Sequence, residues 1–310
     1  MVVSIIAEHK YTIAIALGTL FGVLTRLNML RTDYRQYPPY PHGRIIHISL
    51  GVIAAGLGAV AVPALIGKDY TAITFLALAA QQFRDVRNME RETLSKMDQM
   101  ELISRGSTYI EGIAMVFEGR NYIVILTSFV TTWCFVAGGW PLGIASGIAA
   151  LIVTHFFKRG RSISHIALVE VAEVRIDGPD VYVNDIYIMN VGLEDSLKKI
   201  RQHGLGLIAT PINMDSRVTL SNLGQRQAIL YDMSTILGVY RDSGEPSLVP
   251  MCKLDLHDGR LAVFILPLDR DLAKAKQVLL NVPLLENAIR KPSKAQVNRG
   301  GGTGDERNHG

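Results

Sequence analysis

Residues 45–66 read IIHISLGVIAAGLGAVAVPALI, a run without a single Asp, Glu, Lys or Arg. A helix needs about 20 apolar residues to cross the hydrocarbon core of a bilayer, because its peptide groups must pair internally where no water reaches them. This run has the required length, and His47 is its only titratable side chain. It therefore predicts a membrane-spanning helix.

Four more apolar stretches surround this run, and three of them are shorter than a full span. They cover residues 11–24, 70–83, 122–136 and 140–157. Short runs of this kind also occur in buried helices of soluble proteins, but the charges at their borders favour the membrane. The first stretch can extend towards the amino terminus, and the third can continue as helix beyond Phe83. We expect about five transmembrane helices, in a membrane domain of residues 1–160.

Basic residues set the expected orientation, because cytoplasmic loops are enriched in Lys and Arg. Thirteen such residues lie in the segments 26–44, 84–120 and 158–161, whereas Lys10 and Lys68 alone lie in the other loops. This bias places the amino terminus outside and the chain after His155 inside, as a multi-pass membrane protein. A cleaved signal peptide is the alternative for the first stretch, but no small-residue cleavage site follows Leu24.

Small residues recur at helical spacing within the stretches and predict close helix packing. The pairs are Gly18 with Gly22, Gly51 with Ala55, Ala54 with Gly58, and Gly143 with Gly147. No acidic or basic residue is expected deep in any span, which argues against a proton-coupled pump. A structural bundle is favoured over a neutral pore through an oligomer.

A proline- and tyrosine-rich loop is expected between the first two spans. Tyr34, Tyr37 and Tyr40 lie in it beside several arginines. Tyrosine rings settle at the headgroup level of a bilayer, so interfacial anchoring is one interpretation. A peptide or lipid contact is the functional alternative.

Two carboxylates mark the short segment 108–118, which is expected to form an interfacial helix that ends at Gly119. Thr108 and Glu111 have the spacing of a capping box. Glu111 and Glu118 share one helix face and could hold a cation or act in acid–base chemistry. Helix capping and solvent contact are the simpler explanation.

The same segment carries a motif, Tyr109-Ile110-Glu111-Gly112-Ile113-Ala114, between a charged helix and a span. In this motif and in its multi-span organisation, the chain resembles the YIEGIA family of membrane proteins from endospore-forming bacteria. The resemblance covers most of residues 1–290. It implies a cell-membrane location and a role in sporulation, and it brings no catalytic residues.

Residues 161–290 have the composition of a soluble domain, expected in the cytoplasm. Two hairpins are predicted, 171–189 around Asp177-Gly178 and 252–266 around Asp258-Gly259, because Asp-Gly between alternating runs is a turn signature. Helices are expected at 193–203, 219–237 and 268–280, and a strand at 205–212. The order predicts an α+β fold with helices on one side of a mostly antiparallel sheet. Residues 291–310 are expected to be a disordered tail.

The sequence offers no recognisable catalytic, cofactor or metal motif, and we assign no cofactor. Gly204, Gly206 and Ala209 have dinucleotide-loop spacing, but they are expected after a helix and before a strand, the reverse of the required context. Membrane-flanking arginines account for the basic pI, so nucleic acid is not an expected partner. The expected partners are the lipid bilayer and either a protein or further copies of this chain.

Three functions follow as hypotheses. The first is a non-enzymatic membrane protein that anchors a cytoplasmic partner-binding domain in a sporulation assembly. The second is a membrane transport or lipid-handling protein regulated by that domain. The third is an enzyme at the bilayer surface that uses Glu111 and Glu118.

Overall fold

A computed structural model describes residues 2–34, 37, 41–101, 103–157, 160–240, 248 and 250–294. The chain divides into two compact units. The helical unit comprises Met1–Thr93 and Ile113–Gly160, and the mixed unit comprises Leu94–Gly112 and Arg161–Gly310. The mixed unit thus includes a segment, 94–112, that lies between apolar stretches in the sequence; we call it the junction segment.

Four long helices precede the strands: α1 (Val2–Asp33), α2 (Pro41–Ile66), α3 (Tyr70–Asp98) and α4 (Ser107–Phe157). Three of them are long and apolar enough to cross a membrane, over His9–Leu30, Gly43–Ile66 and Ser107–Phe156. The expected count of five spans is not supported. The stretch 70–83 continues into the charged part of α3, as expected, and that helix falls outside the criterion, while the last two stretches share α4.

Helix α4 reverses direction at Gly139, whose φ of 72° and ψ of −160° are not helical. A Cβ on Gly143 would lie 2.9 Å from the Phe135 Cβ, although eight residues of straight helix rise about 12 Å. Pro141, which lacks an N–H, suits the first turn of the new helix. Residues 107–138 and 140–157 therefore form two antiparallel arms, the first arm and the second arm.

Helix α1 contacts both arms of α4 through small residues. Gly18 and Gly22 face the side chains of Thr132 and Ser128 on the first arm, where an added Cβ would lie within about 2 Å of each hydroxyl oxygen. On the second arm, Gly143 faces Leu17 and Gly147 faces Phe21. The prediction that small residues permit close helix packing is confirmed, because a larger side chain at these positions would separate the helices.

The helical unit exposes apolar side chains and also buries polar ones beside its apolar core. Its exposed large side chains are mostly aliphatic or aromatic, and they include Leu20, Val52, Ile53, Leu126, Trp133, Ile144, Ile152 and Val153. Its buried polar side chains include Thr25, Arg26, His47, Asn121, Thr127, Ser128, Thr131 and Thr132. Water would favour the opposite distribution, and a hydrocarbon solvent favours this one.

The mixed unit contains two antiparallel sheets. Its strands are β1 (Ala167–Ala172), β2 (Val174–Asp177), β3 (Asp180–Val183), β4 (Ile186–Asn190), β5 (Leu205–Pro211), β6 (Met251–Leu254) and β7 (Leu261–Ile265). The larger sheet has the order β1-β5-β7-β6, and the smaller sheet has the order β2-β3-β4. Every pairing between these strands is antiparallel, so the expected antiparallel α+β fold is confirmed.

Helices α5 (Glu194–His203), α6 (Met214–Ser221), α7 (Leu223–Leu237) and α8 (Leu272–Asn281) complete the unit. One core lies between the larger sheet and α7 and α8. A second core lies on the opposite face, where the smaller sheet and α5 pack. The expectation of helices on one side only was wrong, because both faces of the larger sheet are apolar and each needs a cover.

Turn and helix-capping residues explain the remaining differences from the predicted elements. The first hairpin turns at Gly178, as expected, but Asn184 adopts a φ of 54° and splits the predicted long strand into β3 and β4. The side chain of Asn222 accepts a hydrogen bond from the Gln225 N–H and starts α7, so the predicted helix 219–237 is two helices. Gly206 lies in β5, as expected for a strand and not a nucleotide loop.

The beginning of the predicted tail packs on the mixed unit. Ser293 donates hydrogen bonds to Asp215 at the start of α6, from its backbone N–H at 3.0 Å and its hydroxyl at 2.7 Å. Residues 295–310 lie outside the described residues.

Candidate functional site

Two of the three predicted loop tyrosines converge on His47 of α2. The Tyr34 ring stacks on the imidazole at a centroid distance of 5.8 Å, and the Tyr37 ring meets it edge-on at 4.6 Å. The Tyr34 hydroxyl lies 3.4 Å from His47 Nδ1. Tyr40 lies outside the described residues. The tyrosines therefore contact a buried histidine of the helical unit.

A buried carboxylate completes this histidine cluster. His47 Nε2 lies 3.4 Å from Glu90 Oε1 of α3, and the Tyr37 hydroxyl donates a short hydrogen bond to the same oxygen. The Phe117 ring of the first arm closes the cluster at 4.5 Å from the imidazole. The imidazole thus lies between a phenol and a carboxylate, and its contacts join α2, α3 and α4.

A second buried group surrounds Asp33 at the end of α1. Arg26 Nη1 donates to one carboxylate oxygen at 2.9 Å, and Arg120 Nε donates to the other at 3.1 Å. We call Arg26 and Arg120 the arginine pair. Arg26 is only 1 % exposed, and its guanidinium lies 5.0 Å above the Phe117 ring. One carboxylate thus serves two buried cations.

Arg26 is buried near the end of a candidate span, which does not contradict the expectation that no charged residue lies deep in a span. Arg26 belongs to the candidate span His9–Leu30, one turn from its end. Its Nε and Nη2 atoms have no hydrogen-bond partner among the described residues. An intramembrane arginine is costly and normally has a structural or functional partner, so this position is a genuine candidate site.

Further buried polar side chains lie on α1 and on the first arm, and we call Thr25, Asn121, Ser128 and Thr131 the polar seam. Asn121, Ser128 and Thr131 are fully buried on the first arm, and Thr25 is fully buried on α1. None of the side-chain polar atoms of these four residues has a hydrogen-bond partner in the described parts of the chain. Buried unpaired polar atoms are uncommon in folded proteins and mark positions where water or a ligand could bind.

The family motif is a packing element. Tyr109 and Ile110 are almost completely buried, and Gly112 lies so close to Asn287 that a Cβ would be 2.6 Å from both amide atoms of that side chain. Gly106 has a φ of 77° and lies against the Gln227 side chain. The motif therefore helps to hold the junction segment against the rest of the mixed unit.

Arg105 fastens the junction segment to α7. Its guanidinium stacks 3.8 Å from the Tyr231 ring centre and donates a short hydrogen bond to the Tyr231 hydroxyl. It also donates to Glu101 at 3.2 Å, while its backbone N–H donates to Asp98 at 2.6 Å. Burial raises the pKa of Tyr231 above its ordinary value.

Glu111 and Glu118 lie on one continuous helix, so the expected break at Gly119 was wrong. Seven residues of helix separate the two carboxylates by about 10 Å along the axis. Glu118 accepts hydrogen bonds from Arg87 at 3.1 Å and from Tyr122 at 3.2 Å. Helix α4 begins at Ser107, so Thr108 lies within its first turn. The described residues contain no group of three or more His, Cys, Asp or Glu side chains suited to a metal ion.

An ionic cluster ties the second hairpin of the mixed unit to the turn after β3. Arg260 donates to both carboxylate oxygens of Asp185, at 3.0 and 2.7 Å, and to Asp258. These hydrogen bonds hold the pKa of Asp185 below its ordinary value and raise the pKa of Arg260. Because Asp185 is mostly exposed, the cluster is a modest structural link.

Sequence reasoning missed the partners of these sites. Glu90 and Asp98 resemble ordinary charges on a solvated helix, and Arg105 resembles a loop residue. His47 within an apolar run and Asp33 as the single acid in an arginine-rich segment were the available signals. Each of these residues differs in polarity or charge from its sequence neighbours, but neither indicated which distant residue it would contact.

These features define a class of protein that joins membrane-compatible helices to an antiparallel α+β unit. The profile of the family described as "YIEGIA protein" matches residues 14–295, and the chain belongs to this family. It is 56 % identical over 284 residues to a protein of Bacillus subtilis (strain 168) described as "Uncharacterized protein YphB", covering 91 % of this chain and 95 % of that one. No solved structure matches the chain.

Proposed function

We propose that this chain is a non-enzymatic integral membrane protein whose helical unit anchors the mixed unit as a partner-binding domain. The observation that carries the anchoring role is the apolar surface of the helical unit, together with the polar side chains buried within it. Aliphatic side chains cover its outside, while an arginine, a histidine and an asparagine lie inside. A hydrocarbon environment stabilises this arrangement, whereas water would penalise the exposed aliphatic surface.

The proposal includes an orientation, with the amino terminus outside and the mixed unit in the cytoplasm. Thirteen basic residues against two support it. The two arms of α4, together with α1 and α2, would make four crossings, and an even number returns both ends of the chain to one side. The orientation therefore requires residues 70–83 of α3 to cross as well, which gives five crossings.

Cysteine labelling tests this orientation in intact cells. In a chain without Cys134 and Cys252, Gly67→Cys and Asp195→Cys introduce single thiols at exposed positions. A membrane-impermeant maleimide is expected to label the first at once and the second only after permeabilisation. Labelling of Asp195→Cys in intact cells would overturn the orientation, and release of the chain by alkaline carbonate would overturn anchoring itself.

An apolar groove on the mixed unit supports the partner-binding role. It lies between α6 and the ends of β5 and β6, and its volume is about 600 Å³. Ile212, Met214 and Leu256 line it, and Leu256 is 78 % exposed. Apolar side chains exposed around one concave surface are typical of a protein-binding site.

Cross-linking in living cells tests the role of this groove. The full chain is purified in detergent after cross-linking, and its partners are compared with those of Leu256→Asp and of Leu193→Asp, a matched variant at an exposed leucine outside the groove. A specific partner is expected with the wild type and with Leu193→Asp, but not with Leu256→Asp. If both variants retain the partner, the groove is not its binding site; if no specific partner is found, the partner-binding role fails.

We place this role in a sporulation assembly, in line with the organisms of the family and with the Bacillus subtilis relative. Expression confined to spore formation, followed with a fluorescent fusion, is the expected result. Equal expression in growing cells would remove this part of the proposal.

A second candidate function is membrane transport or lipid handling regulated by the mixed unit. The polar seam favours it, because the unpaired polar atoms of Thr25, Asn121 and Ser128 could interact with a polar solute inside the bundle. Vesicles containing the purified chain test this function. Rates of leakage and of lipid flipping equal to those of empty vesicles would eliminate it.

A further inference from the structure

A second groove lies on the helical unit, between α1 and the second arm of α4. Its volume is about 580 Å³, within the usual range of about 300–1,000 Å³ for ligand sites. Leu24 and Leu27 of α1 and Ile148 and Ile152 of the second arm provide aliphatic walls. These residues belong to candidate membrane spans, so the groove would face hydrocarbon and not water.

The polarity of this groove changes along its length. Helix α1 and the second arm run in the same direction, because Leu17 contacts Gly143 and Phe21 contacts Gly147. The two polar residues of the lining, Asn28 and His155, therefore lie together at the carboxyl end of both helices. One end of the groove is apolar, and the other end presents an amide and an imidazole.

The sequence beyond the polar end is basic. Arg31 follows Asn28 by one helical turn, and Lys158 and Arg159 follow His155 within four residues of sequence. Basic residues at the end of membrane helices attract anionic headgroups, at about 1 kcal/mol for each residue near the surface. Asp33, two residues after Arg31, is acidic, but its carboxylate is already paired with Arg26 and Arg120.

We propose that this groove is a specific site for an anionic diacyl phospholipid. One acyl chain lies along Leu24, Leu27, Ile148 and Ile152, and the headgroup lies beside Asn28 and His155. The lining from Ile148 to His155 extends about 10 Å, which matches the upper part of a chain in a leaflet about 15 Å deep. Because lipid tails gain little by leaving other hydrocarbon, selectivity comes from the headgroup.

This inference rests on the membrane location of the helical unit. It is independent of the partner-binding role of the mixed unit.

Native mass spectrometry of the full chain in mild detergent tests the proposal. The probes are phosphatidylglycerol and phosphatidylcholine with identical acyl chains, so that only the headgroup differs. The wild-type chain is expected to bind one phosphatidylglycerol about fivefold more tightly than phosphatidylcholine, which corresponds to about 1 kcal/mol.

Two adjacent substitutions provide a matched pair. Ile152 and Val153 are both 53 % exposed, but only Ile152 lines the groove. Ile152→Trp fills the groove and is expected to abolish the preference for phosphatidylglycerol, while Val153→Trp keeps it. His155→Leu is expected to reduce the preference without reducing total lipid binding.

The outcomes separate this inference from the proposed anchoring function. Equal binding of the two lipids by the wild type, or an unchanged preference in Ile152→Trp, overturns the lipid site. Competition by inorganic phosphate alone would also overturn it, since the ligand would then be a free anion. If carbonate leaves the chain in membranes while the preference is absent, anchoring stands and only the lipid site is lost.

Discussion

Gly112→Ala tests whether the family motif acts through the packing of the junction segment. Gly112 is helical, and the methyl group of an alanine there would lie 2.6 Å from the amide nitrogen and oxygen of Asn287. Carbon atoms normally approach such groups no closer than about 3.5 Å. Either the Asn287 side chain or the helix must move.

The expected magnitude comes from two opposing effects. Overpacking a close contact costs about 1–3 kcal/mol. Replacing glycine by alanine within a helix recovers about 1 kcal/mol. The net loss in the free energy of unfolding is about 1 kcal/mol, which lowers the melting temperature of a unit of this size by about 2–4 °C.

The thiol of Cys252 offers a direct assay for the mixed unit. It packs against the main core and lies 3.8 Å from the Arg226 carbonyl oxygen, and burial raises its pKa. Because the thiol is partly buried and its pKa is raised, a thiol-reactive dye should label the chain, in a Cys134→Ala background in detergent, faster as the mixed unit unfolds. The labelling midpoint on heating then ranks the variants.

Two controls make the test specific. Gly192→Ala has no neighbouring atom within 4 Å and should raise the midpoint slightly, by the equivalent of about 0.4–1 kcal/mol. In an Asn287→Ala background, Gly112→Ala should become neutral or stabilising, because the amide that it would strike is gone. A Gly112→Ala midpoint equal to that of Gly192→Ala, or an equal loss with and without Asn287, would refute the packing argument.

Three further predictions concern other contacts. Gly58→Ala in α2 would bring a methyl group within 2.2 Å of a backbone carbonyl oxygen of α4 and should lower the aggregation temperature in detergent, whereas Gly56→Ala, with open space around it, should not. Asp33→Asn removes the carboxylate that the arginine pair shares and should cost about 3–5 kcal/mol, seen as loss of the monodisperse peak in size-exclusion chromatography. Asp185→Asn should cost about 0.5 kcal/mol at pH 7, because the link to Arg260 is partly exposed. Since the folded pKa of Asp185 is lowered, this contribution is present above about pH 4 and is lost as the pH falls through the folded value, so the labelling midpoints of wild type and variant should converge in acid.

Much of the architecture could be predicted from local sequence patterns. The uncharged run 45–66 indicated a hydrocarbon environment by itself, and α2 covers it. Turn chemistry at Gly178 placed the first hairpin, and alternation placed β6 and β7. These features follow from the preferences of neighbouring residues for a solvent and a backbone conformation, which a sequence records directly.

The candidate site could be predicted only in part. Tyr34 and Tyr37 were identified as unusual, but their contact with His47 depends on Glu90, which lies more than 40 residues further along the chain. The role of Glu111 and Glu118 could not be predicted either, because Glu118 binds Arg87, which lies on another helix and is distant in sequence. Residue type raised these positions as candidates, and it could not assign their partners.

The sequence by itself determined which segments prefer hydrocarbon and where the first hairpin turns. Tertiary structure alone decided that α4 folds back at Gly139, that the junction segment joins the mixed unit and that Arg26 is buried with Asp33 and Arg120. The reason is physical. Solvent preference and backbone conformation are properties of adjacent residues, whereas burial and charge pairing arise between residues that only the folded chain brings together.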